Sequence, residues 1–185
     1  MTIQEYENNA KCAAERLQGY TREQLENLIR EISEVISEHA DMLASITAEE
    51  TGNDCAEVLA AEIRGASICV IDGLKMVQSN DTFRSKDSGG RITVAVIAAR
   101  GAVSETLRSF LCALTGRTAL IICPDARAHC VIGDTVDLIK ETLIKNNMPD
   151  ELIQVIEKCT LENTIDMLHI SDAVSDLCGY RLTEK

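Results

Sequence analysis

Tryptophan is missing from this 185-residue sequence, which holds only two Phe and three Tyr. Its core must therefore be packed by Leu, Ile, Val and Ala. Positive charge is also scarce: 18 Lys and Arg stand against 30 Asp and Glu, for a formal charge of −12. Nucleic acid and anionic membrane surfaces, which are met through basic patches, are poor partners for such a chain. No apolar run approaches the roughly 20 residues that span a bilayer. The polar opening Met1 to Tyr6 is unlike a secretory signal. The cytoplasm is the expected address. Neither a GxGxxG nor a GxxxxGK[ST] pattern occurs, so the two common phosphate-loop fingerprints are absent.

Cysteine is not scarce, but its pattern is uninformative. The eight cysteines never fall into a CxxC pair. Without a secretory signal they read as reduced, mostly buried small hydrophobes. Cys123, His129 and Cys130 could supply metal ligands, yet no fourth ligand has matching spacing, which argues against a structural zinc.

With 45% hydrophobic and 26% charged residues the chain has the composition of a folded protein. Its length suits one main domain. Thr2 to Gln18 is helix-prone and breaks at Gly19. Thr21 and Gln24 have capping-box spacing. Beyond them Leu25, Leu28, Ile32, Val35, His39, Met42 and Ile46 recur at three- and four-residue steps, which predicts one long helix with these residues on its packed stripe. His39 on that stripe reads as a packed histidine with a satisfied nitrogen. Thr47 and Glu50 repeat the capping spacing, Gly52 marks a break, and a further helix is expected from about Asp54 to Val77.

The polar, glycine-terminated stretch 78–91 reads as a loop, and after it the periodicity changes. Ile92 to Ala99 is a continuous apolar run suited to a strand buried on both faces. Ser104 to Leu114 reads as a helix, Thr118 to Cys123 as a second strand, and Ile132, Val136, Ile139 and Leu143 as one helical face. Leu152 to Ile156, Leu161 to Leu168 and Ala173 to Leu177 read as strand, helix and strand. Alternating strands and helices predict an α/β fold: a mostly parallel, Rossmann-like sheet over 92–185, with residues 1–77 as a helical segment packed on it, the whole forming one compact domain.

Two places could carry chemistry. The turn from Ala99 to Ser104 joins a strand to a helix, where backbone N–H groups attract anions and Arg100 adds charge. Cys123 lies at the carboxyl end of a strand near Arg127 and His129, the neighbourhood that could activate a thiol. The plainer readings are a buried Cys123, and arginines that solvate loop ends.

In their order along the chain, several segments resemble the CoA-acylating branch of the aldehyde dehydrogenases. These are Glu49-Glu-Thr-Gly52 closing a long helix, the strand Val94 to Ala98, the strand and exit Arg117 to Arg127 with its Pro124, the turn at Asn147-Met-Pro-Asp150, and Ser171-Asp-Ala-Val174. The similarity runs from about Thr2 to Leu177 and matches the N-terminal, nucleotide-binding half of that family. It implies NAD or CoA as cofactor and places Pro124 and Arg127 beside the cofactor cleft, with Arg100, Gly101 and Ser104 at the neighbouring turn. It also implies a departure, since Gly101 falls where the family has an Asn that donates to the oxyanion. Losing such a donor removes about 3 to 4 kcal/mol in comparable sites. The nucleophilic cysteine and the catalytic domain would lie beyond Cys178 to Lys185. The expectation is a degenerate scaffold without dehydrogenase activity of its own, which assembles with a complete dehydrogenase or with copies of itself. The alternative is a fragment that still binds NAD or CoA and is completed by another polypeptide.

Overall fold

A computed structural model describes residues 1–52, 55–77, 90–157 and 160–175. Four helices come first: α1 (Ile3–Leu17), α2 (Arg22–Glu38), α3 (Ala40–Thr51) and α4 (Ala56–Val77). Then strands and helices alternate as β1 (Ile92–Ile97), α5 (Ala102–Thr115), β2 (Ala119–Pro124), α6 (His129–Lys145), β3 (Ile153–Val155), α7 (Leu161–Ile170) and β4 (Ala173–Ser175). The sheet is four-stranded in the order β3-β2-β1-β4, and every pairing is parallel. This is the α/β, Rossmann-like layer expected from the alternation of apolar runs and helical stripes. The 78–91 loop falls outside the described residues except at Gly90 and Arg91, as do Cys159 and the segment from Asp176 to Lys185.

Connection handedness places the helices. The links β1-α5-β2 and β2-α6-β3 step one way across the sheet, and β3-α7-β4 steps back, so right-handed crossovers put α7 on the opposite face from α5 and α6. Accordingly α5 packs on α6, and α7 packs beside α1. The N-terminal helices divide between the faces: α1 lies against β1 and β2, whereas α2, α3 and α4 form an outer layer over α5 and α6. β1 and β2 read as unbroken apolar runs because they lie in the middle of this sandwich. Ile92, Val94, Ile121 and Ile122 are buried, and so is the α6 stripe of Ile132, Val136, Ile139 and Leu143.

The expected single helix from Thr21 to Ile46 is two helices. The Thr21 and Gln24 capping box forms as predicted, but the helical path is interrupted at His39, whose φ and ψ are −91° and 8°. The buried set is Leu25, Leu28, Ile29, Ile32 and Ile36, continuing as Ala40, Leu43, Ala44 and Thr47. Strict three- and four-residue steps average 3.5 residues, so a stripe drawn with them drifts about 20° per heptad from a true helix. By Met42, past the break at His39, it has left the packed face, and Met42 is exposed. His39 itself is a local structural residue, its Nδ1 lying 2.8 Å from the Val35 carbonyl oxygen.

Thr47 and Glu50 are not a capping pair either. Both lie within α3, and the Thr47 hydroxyl donates to the Leu43 carbonyl at 2.7 Å. No helix starts at Thr47; α3 runs on through Thr51 and ends at Gly52 with φ +72°. A left-handed residue at that point is the usual glycine terminus.

Two long-range anchors tie α1 to the sheet. Arg117 enters β2 buried and in a left-handed conformation, φ +54°. Its guanidinium donates to the carbonyls of Leu17 at 2.7 Å and Tyr20 at 3.0 Å, which ties the end of α1 and the turn after it to the start of β2. At the other end of that helix the Tyr6 hydroxyl donates to the Val155 carbonyl at 3.1 Å and accepts from the Glu157 N–H at 3.3 Å.

Candidate functional site

In an open parallel sheet, ligands sit at the carboxyl ends of the strands, above the point where strand order reverses. Here that point lies between β1 and β4, with the exit of β2 next to it. Of the five residues singled out in the sequence, all but Ser104 fall on this edge. Arg100, Gly101 and Ser104 follow β1, and Pro124 and Arg127 end and follow β2. The two exits are stitched together, because the Asp125 N–H donates to the Ile97 carbonyl at 2.8 Å.

Their surroundings decide what they can do. Gly101 precedes α5 at φ +73° and provides no side-chain cap. A β-carbon built on it would lie 3.6 Å from the Glu62 carboxylate and 3.8 Å from the Glu105 side chain. The turn expected to cradle an anion is thus flanked by two acids. Ser104, the third residue of α5, is buried within its first turn rather than presented at the edge. Arg100 is exposed on the turn.

Arg127 is exposed but committed. Asp125 accepts from its backbone N–H at 2.9 Å, from Nε at 3.2 Å and from a terminal guanidinium nitrogen at 3.0 Å. The Arg127 side-chain hydrogen bond, its N–H and, to a smaller degree, the Ala99 backbone pull the Asp125 carboxyl down to about 2. The pair is a local lock on the β2 exit. An incoming phosphate would have to compete with a carboxylate already in place.

The strongest feature of this edge was not legible in the sequence. The helix that follows β2 has no cap from its own flanking residue Ala128. Instead Glu50, from the end of α3, reaches across: one carboxylate oxygen accepts from the Cys130 N–H at 2.8 Å and the other from the Val131 N–H at 2.9 Å. Carboxylates are favoured at helix starts for the same reason that phosphates are. Glu50 therefore fills the helix-start position that would otherwise attract an anion.

The cysteines are not mostly buried as expected: of the six described, Cys12, Cys55, Cys69 and Cys130 are exposed. Cys123 is fully buried in β2, which fits the plainer reading of a packed hydrophobe. Burial likewise pushes the Cys112 thiol up to about 11. Cys130 is exposed at this edge, but the hydrogen bond and charge of Glu50 raise its thiol above the ordinary range. A raised thiol is a poor nucleophile near neutral pH.

No protein-family model matches the chain. Curated proteins do. A succinate-semialdehyde dehydrogenase (acetylating) of Clostridium kluyveri is 25% identical over 182 residues, which is 94% of this chain and 40% of that protein. A sulfoacetaldehyde dehydrogenase of an Acholeplasma species is 28% identical over 176 residues, 90% of this chain and 36% of the relative. The chain is similar to acylating aldehyde dehydrogenases. It spans about two-fifths of the length of the curated relatives it matches. Solved structures agree on the fold. The crystal structure of a probable aldehyde dehydrogenase from Listeria monocytogenes matches with a TM-score of 0.79 at 18% identity, over 90% of this chain and 38% of that one. An acetylating aldehyde dehydrogenase from Geobacillus thermoglucosidasius matches with a TM-score of 0.76 at 20% identity, over 93% and 40%. The described part of α4 and the other helices includes none long and apolar enough to cross a membrane.

Proposed function

We propose that this chain is a degenerate, catalytically silent counterpart of the nucleotide-binding half of an acylating aldehyde dehydrogenase, which acts in the cytoplasm by assembling with another polypeptide. A complete dehydrogenase or further copies of the chain are the partners this reading favours. Residues 1–77, the 78–91 loop and 92–185 act in it as one compact domain. What carries the reading is Gly101: it falls where the resemblance expects an Asn that donates to the oxyanion, and at the start of α5 it offers no side-chain hydrogen bond. The Asp125 and Arg127 lock, the acids beside Gly101 and the raised Cys130 thiol support it from three further directions.

The second reading, a half that binds NAD(H) or CoA and is completed elsewhere, is favoured by Pro124 and Arg127 standing at the carboxyl edge beside β1. A thermal-shift titration separates the two. A ligand at 100 times its Kd stabilises by about 2.7 kcal/mol. The first reading expects NAD, NADH and CoA at millimolar concentration to leave the melting temperature unchanged, with no aldehyde-dependent NADH formation. A dose-dependent rise with any of the three would replace it by the second.

A further inference from the structure

The outer surface of α4 carries apolar residues where a solvent-facing helix should carry polar ones. Val58, Ala61, Gly65, Ile68 and Cys69 recur at helical spacing and share one face. Val58 is 65% exposed and Ile68 59%, and Ala61 and Cys69 are exposed beside them. Leu59, Ala60, Ile63 and Ala66, on the inward face, are already buried. The helix is thus apolar on both sides, the pattern of one covered on both sides.

Gly65 adds a separate reason to expect a cover. A β-carbon at this position would meet nothing within 4 Å. Glycine in a helix interior is less stable than alanine, and nothing among the described residues requires it here. A neighbour pressing its backbone close to α4 would.

The rim gives the chemistry of that neighbour. Glu57 and Glu62 are exposed at the borders of this face. Arg64, on the same stretch of helix, is held by Asp41 at 2.6 Å. A second copy of the chain would set these acids against their own counterparts. On the assembly role proposed above, we propose that this face of α4 docks an amphipathic helix of another polypeptide, apolar along its centre and flanked by Lys or Arg that meet Glu57 and Glu62.

The test uses the full chain and two labelled synthetic helices with the same Leu and Ala centre, one flanked by Lys and the other by Glu. Fluorescence anisotropy should show binding of the Lys-flanked helix that weakens as salt is raised. Ile68→Glu and Gly65→Leu, both on solvent-facing positions, should each weaken it about tenfold or more, with circular dichroism and the melting temperature confirming that the variants fold. Double reversal, Glu57→Lys with Glu62→Lys, should switch the preference to the Glu-flanked helix. The proposal is overturned if the Lys-flanked helix does not bind, or binds the Ile68→Glu chain as well as the native one. Unchanged preference after charge reversal would also overturn it, since the attraction would then belong to the net charge. So would a dimer in sedimentation that Ile68→Glu dissolves, which would assign the face to a second copy. Nucleotide titration of the Ile68→Glu chain keeps the two readings apart: a melting shift equal to that of the native chain would count against catalytic silence alone.

Discussion

Glu50 and Val131 are 81 residues apart in the chain, yet the carboxylate of the first accepts a hydrogen bond from the backbone of the second at 2.9 Å, and from its neighbour Cys130 at 2.8 Å. A single side chain thus joins the end of α3 to the start of α6. It supplies that helix with the cap its own sequence lacks.

Removing the contact should cost stability and free a thiol. Glu50→Ala leaves two helix-start N–H groups without a protein acceptor, and the loss of a cap costs about 1 to 2 kcal/mol. In a chain of this size that lowers the melting temperature by about 2 to 4 °C per kcal/mol. Because Glu50 raises the Cys130 thiol, Glu50→Gln should speed alkylation of Cys130 near neutral pH, as read by mass spectrometry after timed iodoacetamide treatment. Unchanged Cys130 labelling would mean that the carboxylate does not face the thiol in solution.

The contrast between α2 and Glu50 shows what the sequence could and could not disclose. Local signals were legible. The Thr21 box, the buried runs of β1 and β2 and the Ile132 to Leu143 stripe each depend on residues a few positions apart, so spacing alone reveals them. The break at His39 was not, because neither glycine nor proline marks it in the helical run. The cap at α6 was hidden for a stronger reason: its two halves come from different elements, and Glu50 carries the same spacing from Thr47 that a local cap would have. Position on the ligand edge was legible for Arg100, Gly101, Pro124 and Arg127. The neighbours were not: Asp125 holds Arg127, and Glu62 and Glu105 flank Gly101, only once the chain is folded.

Arg117 should be intolerant of a conservative change. Its two terminal nitrogens serve two carbonyls at once, those of Leu17 and Tyr20, in a buried setting. Lysine keeps the charge but has no planar fork. Hydrogen bonds to charged groups contribute about 1.5 to 3 kcal/mol. Arg117→Lys is therefore expected to lose about 2 kcal/mol in urea unfolding, by a fall in midpoint with the slope preserved. Hydrogen exchange should rise first in the last turn of α1.

Thiol accessibility gives a test that needs no mutation. Under native conditions Cys12, Cys55, Cys69 and Cys130 are exposed, whereas Cys123 is buried and burial raises Cys112 to about 11. A disulfide reagent at pH 8 should modify the exposed group and leave Cys112 and Cys123 untouched until denaturant is added. Peptide mapping that finds Cys123 among the early products would restore it as a candidate nucleophile.

The Asp125 and Arg127 lock makes an acid-side prediction. The Asp125 carboxyl titrates at about 2 in the folded chain, held down first by the Arg127 side chain, against roughly 3.9 for a free aspartate. A depressed acid contributes stability that is fully present above its unfolded value and is lost as pH falls through the folded one. The window is therefore about pH 4 down to about pH 2. The pair stands at an exposed loop, so its contribution is small and screened. Asp125→Asn should melt nearly as the native chain does near pH 2 and slightly below it at pH 6, with the difference shrinking in high salt. Carbon NMR of the Asp125 carboxyl gives the direct check. A midpoint near the free value would mean that Arg127 is loose in solution and available to an anion, which would count in favour of nucleotide binding at the β2 exit.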